Sequence, residues 1–294
     1  GAMVVLAMGK FGSREMTGES DLDLIFVYDY PDDDSVSDGA RSLPAQQYFT
    51  RLSQRLINAM TVPTAEGKLY EVDMRLRPSG NSGPVATRFS GFADYQRNDA
   101  WTWEHMALTR ARIVAGEAEL AARVRATVAE VLCRPRDRQC AAADVAAMRQ
   151  RLIRQRGSDN PWEMKLVRGG LLDIEFIAQF LQLAHATDTA KVLHPNICTA
   201  LSNLARAGHL SRQDADKLIA ASGLYRDLMA LFRVSVVGEF DPSAAPRGMV
   251  NAVLRISEAA DLEQLEKRLL QTQADVLAAF ERIVTAAAGT DEDG

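Results

Sequence analysis

The sequence predicts an α+β protein in two parts, a small mixed domain over residues 1–115 followed by an all-helical bundle domain over 116–294. Apolar runs of strand length occur at 4–9, 22–28 and 69–78, all in the first third of the chain. Beyond Gly116 the strand signals cease, and apolar residues recur at steps of three and four, the repeat of a helix with one buried face. Hydrophobic residues make up 47% of the 294, enough for a full core and against disorder.

Composition narrows the function. A net charge of −5 offers no basic surface for nucleic acid, whose phosphates require clustered positive charge. Cys133, Cys140 and Cys198 are odd in number and lack CxxC spacing, which points away from a disulfide framework or a zinc site and toward a reducing cytoplasm. No stretch approaches the ~18 apolar residues of a membrane span, and no secretory signal is present. Gly1-Ala2-Met3 has the look of an added leader and a strand follows at once, so the chain is expected to be a piece of a longer protein.

The first strand, 4–9, runs toward Gly12-Ser13 in a loop, and Ser20-Asp21-Leu22-Asp23 opens the second. Residues two apart on a strand share a face, so Asp21 and Asp23 project together while Leu22 and Leu24 enter a core. Two adjacent carboxylates repel, and a divalent cation between them relieves the repulsion. Oxygen-only ligation suits Mg²⁺, which fills its shell with waters and substrate phosphates. Gly12 would let the backbone approach a phosphate, and the Ser13 hydroxyl would donate to one. Asp-x-Asp by itself is usually a solvated strand edge; what gives it weight is the order strand, Gly-Ser, short loop, Asp-x-Asp, strand.

The acidic run at 29–39 lacks the spacing and terminal Glu of a calcium loop and reads as a solvated connection. Residues 44–62 read as a helix burying Tyr48, Phe49, Leu52, Leu56, Ile57 and Met60. In the strand at 69–78, Tyr70, Val72, Met74 and Leu76 form one face and Glu71, Asp73, Arg75 and Arg77 the other. Any half-exposed strand alternates in this way. Yet two acids followed by two arginines suit a triphosphate with its metals: Asp73 as a third carboxylate, Arg75 and Arg77 pairing with phosphate oxygens. Gly80 and Gly83 then give a loop beside that face.

Residues 89–115 read as helical, with Trp101 and Trp103 expected to pack between helices and His105 to be a hydrogen-bonded interior residue rather than a base. Further helices are expected at 117–131, 141–156, 171–185, 196–207, 211–234 and 261–287, with a break at Cys133-Arg134-Pro135 and a frayed acidic tail at 289–294. Arg149, Arg151, Arg154 and Arg156 read as a solvated helix face. Asp173 in the first turn of its helix meets the helix dipole favourably. That is reason enough for one acid but not for both, and the roles of Asp173, Glu175, Lys165 and Arg168 stay open.

With these residues in view, Gly12-Ser13 and Asp21-Leu22-Asp23 resemble the signature of the DNA polymerase β-type nucleotidyltransferase superfamily. The longer strings Gly9-Lys10-Phe11-Gly12-Ser13-Arg14-Glu15-Met16, Ser20-Asp21-Leu22-Asp23-Leu24-Ile25-Phe26, Val72-Asp73-Met74-Arg75-Leu76-Arg77-Pro78-Ser79-Gly80 and Gly169-Gly170-Leu171-Leu172-Asp173-Ile174-Glu175-Phe176 resemble the glutamine synthetase adenylyltransferases. Ser13 departs from that family's more frequent Gly. The family's enzymes are bifunctional, one half removing AMP from glutamine synthetase by phosphorolysis and the other attaching it. The stretch from Tyr95 to Leu108 and Cys133-Arg134-Pro135 resemble the C-terminal, adenylylating half.

The resemblance implies a polymerase β-like first domain and transfer of AMP from ATP to a tyrosine hydroxyl of glutamine synthetase, with release of pyrophosphate, in the regulation of nitrogen assimilation. Asp21 and Asp23 would hold two Mg²⁺ ions, and Asp73 would share the second and help deprotonate the tyrosine. Gly12, Ser13 and Ser20 would bind the nucleotide phosphates, and Arg75 or Arg77 would neutralise the pyrophosphate. The PII signalling protein would regulate the full-length enzyme. Competing readings are the reverse, phosphorolytic reaction, a silent nucleotide- or partner-binding module, and a transferase for a small alcohol.

Overall fold

Two strands joined by a one-turn helix set the frame of the N-terminal part. The computed structural model describes residues 1–289 apart from Glu19 and Val237, and it divides the chain into two compact units, Gly1–Arg134 and a second beginning at Pro135. Ala2–Ala7 (β1) leads through Gly9–Ser13 (α1) to Leu22–Asp29 (β2), which returns antiparallel to β1 with Val4 opposite Val27. β2 is apolar almost throughout, and Leu24, Ile25, Phe26 and Val27 are all buried, as expected of a strand with neighbours on both edges and both faces covered. Ala45–Thr61 (α2) packs on one face through Phe49, Leu52, Leu56, Ile57 and Met60, with the Phe49 ring stacked 4.8 Å from Tyr28.

A small hairpin of Pro63–Thr64 (β3) and Gly67–Lys68 (β4) precedes Val72–Asp73 (β5), and Ala86–Arg88 (β6) follows. β5 and β6 both pair in parallel with β2, at its start and its end respectively. Phe89–Asn98 (α3) and Thr102–Leu108 (α4) lead to Arg112–Gly116 (β7), which lies antiparallel to β1 on the edge opposite β2. The sheet order is therefore β5-β2-β1-β7, with β6 also on β2.

Several expectations change here. The strand expected over 69–78 shortens to β5, and the chain turns after Met74, so Arg75 and Arg77 leave the strand. Gly12-Ser13 closes a helical turn instead of a loop. The helical reading of 89–115 fails at its end: 112–116 is an edge strand whose conformation is set by pairing with β1, which no local periodicity announces. Trp101 does not pack between helices; it caps α4 and is 70% exposed. His105 Nε2 donates to the Gln96 carbonyl, 2.9 Å away. The units divide after Arg134 rather than after residue 115, because Ala118–Leu132 (α5) packs on β1, β7, α3 and α4 of the sheet domain with Leu120, Val124 and Val131 buried.

The second unit is helical: Arg138–Arg156 (α6), Leu171–His185 (α7), Ile197–Arg206 (α8), Arg212–Ser235 (α9), Arg247–Ser257 (α10) and Leu262–Phe280 (α11). The last continues through a widened turn at Glu281–Thr285 into Ala286–Ala288 (α12). α6 starts earlier than its apolar pattern, since Asp137 caps it by accepting from the Cys140 amide at 2.8 Å. α10 falls in a stretch to which no helix was assigned from sequence. α7 is buried nearly all round and is the unit's central helix. Of the acidic tail expected at 289–294, residues 290–294 lie outside the described residues.

Arg149 is not on a solvated face. It is buried and ion-paired with Asp173, and its Nη2 also donates to the Val167 carbonyl at 3.0 Å. Asp173, only 1% exposed, in turn accepts the Gly169 amide at 2.6 Å. Gly169 has φ +76°, and a Cβ there would stand 1.8 Å from the Gln273 carbonyl of α11, so the glycine lets the loop before α7 touch that helix's backbone. Tyr225 of α9 completes the knot by donating to the Gly169 carbonyl at 3.1 Å. The Gly-Gly-Leu-Leu-Asp string is thus a packing device within the second unit. Among the described residues, no helix is long and apolar enough to cross a membrane.

Candidate active site

The start of β2 is where chemistry-bearing side chains gather. Parallel pairing places Asp23 opposite Asp73, and the Leu22 amide donates to the Glu71 carbonyl at 2.8 Å to lock that register. Asp21 stands one residue before the strand and is exposed. From the other side, the Met8 amide donates to the Asp23 carbonyl at 2.9 Å, bringing the beginning of α1 against the same point. A Cβ on Gly9 would lie 2.2 Å from Asp23 Oδ2. The Asp23 carboxylate therefore rests on a position of α1 that has no side chain.

Electrostatics single out Asp23. Burial, then the negative charges of Asp73 and Asp21, push its pKa from 3.8 up to about 6, against the opposing pull of Arg110 and Arg75. Asp73 goes the other way. The Arg75 side chain holds it below the usual carboxylate range, with Nε 2.8 Å from Oδ2 and the Arg75 amide 2.8 Å from Oδ1. The Arg75 side chain itself is 67% exposed. Among the described residues, no three His, Cys, Asp or Glu side chains stand as a closed ion cage. In this conformation Asp73 is turned onto Arg75.

The structure thus brings Asp21, Asp23, Asp73 and Arg75 together and gives the other expected site residues different partners. The Gly12 amide donates to the Met8 carbonyl at 2.8 Å, and a Cβ there would be 1.9 Å from the Arg110 carbonyl, so its small size serves the packing of α1. The Ser13 hydroxyl is buried, donating to the Lys10 carbonyl at 3.3 Å and accepting from Arg110 Nη2 at 2.8 Å. Ser20 closes a turn with Thr17, Oγ to Oγ1 2.9 Å. Arg77 ties its own loop together, reaching the carbonyls of Met74 at 2.8 Å and Gly83 at 3.2 Å. Each is held by backbone or by residues distant in sequence, which a motif does not reveal. Arg110 and Gly9, which do adjoin Asp23, were not singled out as site residues, and only the glycine directly after a strand could have hinted at its role.

A family model described as glutamate-ammonia ligase adenylyltransferase matches residues 1–127, and one described as PII-uridylyltransferase matches residues 141–235 of the helical unit. A bifunctional glutamine synthetase adenylyltransferase/adenylyl-removing enzyme from Rhodopseudomonas palustris is 48% identical over 280 residues, covering 95% of this chain and 28% of the relative. Proteins of the same name from Xanthobacter autotrophicus and Agrobacterium fabrum are 47% and 45% identical, each covering 97% of this chain and 29% of the relative. This segment belongs to the glutamine synthetase adenylyltransferase family. The chain spans less than a third of the length of these relatives, and the carboxylates at the start of β2 fall within the part matched by the family's own model.

Proposed function

We propose that this chain transfers AMP from ATP to a tyrosine hydroxyl of glutamine synthetase. The hydroxyl oxygen would bond to the α-phosphorus, the α–β phosphoanhydride bond would break, and pyrophosphate would leave. The observation that carries the reading is the register of Asp23 against Asp73, with Asp21 close enough to raise the Asp23 pKa. Such a set is short of positive charge, and its donors are oxygens alone, which fits Mg²⁺. Asp21, Asp23 and Asp73 would hold up to two such ions, which supply charge neutralisation of the phosphates and of the developing oxyanion.

The chain's own residues do the rest. Asp23, against Gly9, gives the site a fixed carboxylate. Asp73, released from Arg75, takes the proton of a hydroxyl whose free pKa near 10 makes it a poor nucleophile. Arg75, largely exposed, turns to the leaving phosphates. Catalysis then rests on positioning and preorganised charge. The polymerase β-like fold and the adenylylating half are part of the same proposal, as is action in the cytoplasm, where ATP and glutamine synthetase meet. The match of the helical unit to a PII-uridylyltransferase model supports PII as a regulator.

Labelled ATP, purified glutamine synthetase and Mg²⁺ test the reading. Asp23→Asn and Asp73→Asn should each lower AMP incorporation on the order of a thousandfold, about 4 kcal/mol of barrier; undiminished incorporation by either would reject the assignment. The relatives' names also carry adenylyl removal. In that second reading phosphate attacks the AMP-tyrosine bond and ADP is released, so ADP formed from adenylylated glutamine synthetase and phosphate, without AMP incorporation from ATP, decides for it.

A further inference from the structure

α1 is too short to hold its own shape. Its five residues close little more than one turn, a length that is unstable in isolation, and the last carbonyls of any helix lack partners within it. Two arginines near the start of β7 brace that end, and one of them, Arg112, supplies partners for its carbonyls. Arg112 donates from Nε to the Gly12 carbonyl at 3.0 Å and from Nη2 to the Phe11 carbonyl at 2.7 Å, a fork that only a guanidinium provides. Arg110 donates from Nη2 to Ser13 Oγ at 2.8 Å and to Glu15 Oε2 at 2.9 Å, the arginine being buried and the glutamate half-buried. β7 is itself fixed to β1, with Arg112 opposite Ala7.

At the opposite end of this turn stands Gly9, at φ +49° and without room for a Cβ beside Asp23 Oδ2. The place of α1 and the place of the Asp23 carboxylate are therefore one variable. Moving the helix either opens a gap behind the carboxylate or pushes it forward.

We infer that Arg110 and Arg112 are positioning residues of the transfer site: by clamping the C-terminal end of α1 they hold Gly9 against Asp23 and so fix where that carboxylate stands relative to Asp73. The inference rests on the proposed role of these carboxylates. Displacing a reacting or ligating group by about 1 Å costs on the order of a hundredfold in rate, so the clamp should register in turnover well before it registers in stability.

The test compares Arg112→Met, Arg112→Lys, Gly9→Ala and Asp23→Asn with a control, Arg123→Met, whose 2.7 Å ion pair with Asp29 lies at the far end of β2. Readouts are melting temperature, Mn²⁺ affinity with ATP by electron paramagnetic resonance, and kcat and KM for AMP transfer. Arg112→Met and Gly9→Ala should weaken Mn²⁺ binding about tenfold or more and lower kcat about a hundredfold. KM for glutamine synthetase should hold in both, and melting of Arg112→Met should stay close to that of the control. Arg112→Lys keeps the charge without the fork and should fall between, and it replaces Arg112→Met if that variant fails to fold. Wild-type Mn²⁺ binding and turnover in Arg112→Met and Gly9→Ala, beside an inactive Asp23→Asn, overturns the clamp alone. Wild-type Mn²⁺ binding by Asp23→Asn overturns the ligand assignment and the clamp with it.

Discussion

Asp23 has its pKa pushed up to about 6 in the folded chain by burial and the neighbouring carboxylates, against 3.8 for an ordinary aspartate. Between those values the folded state binds a proton that the unfolded chain has lost, so this group's contribution to stability is greatest at low pH and declines as pH rises from about 4 to about 6. Above that range the folded protein carries a half-buried charge beside two others. Asp23→Asn removes it, so at about pH 8, free of divalent ions, the variant should melt a few degrees above the wild type, with the gain vanishing toward pH 4. Adding Mg²⁺ and ATP should reverse the order, raising the wild type and not the variant. Thermal melts across pH, with and without the ion, check both signs. The pairing of Asp21 with Asp23 was legible because residues two apart on a strand share a face, whereas the place of Asp73 opposite Asp23 is set by the register of β5 on β2. The fates of Ser13 and Arg112 were not: their partners lie 97 and 100 residues away in sequence.

Among the elements, legibility followed length. α2, α7 and α9 were placed within about a residue at each end, because a long apolar stripe has a period to read. β6 and β7, three and five residues long, have none; their conformation comes from the strands beside them. The start of α7 shows the same limit. Asp173 looked sufficiently explained by the helix dipole, whereas its chief partner is Arg149 of α6, a residue whose neighbours in sequence are a basic run. Asp173→Ala leaves that guanidinium buried without its carboxylate and frees the Gly169 amide, so it should cost about 3–5 kcal/mol in urea unfolding. Arg149→Met combined with Asp173→Leu should recover most of the loss. If the single substitution costs under 1 kcal/mol, the buried pair is not what holds this corner.

The molecule as a whole carries its own reporters. Trp101 and Trp103 belong to the first unit, and Trp162 is buried in the second, 5.0 Å from the Phe240 ring. A Trp162→Phe chain reports the first unit, and a Trp101→Phe/Trp103→Phe chain the second. Mg²⁺ with ATP should raise the unfolding midpoint seen in the former, and Asp173→Ala should lower the midpoint seen in the latter. A nucleotide-dependent shift seen only through Trp162 would move the site out of the sheet domain.

The guanidinium lying on Asp73 has a consequence for how such a protein rests between turnovers. It is a built-in counter-charge, so if the carboxylates hold metal as proposed, a divalent ion arriving alone would have to displace it before gaining a third one. That would set a threshold below which stray cations are not scavenged. The anionic tail of a nucleotide lowers the threshold by giving the arginine somewhere else to go. Metal and nucleotide would then load as a pair rather than one after the other.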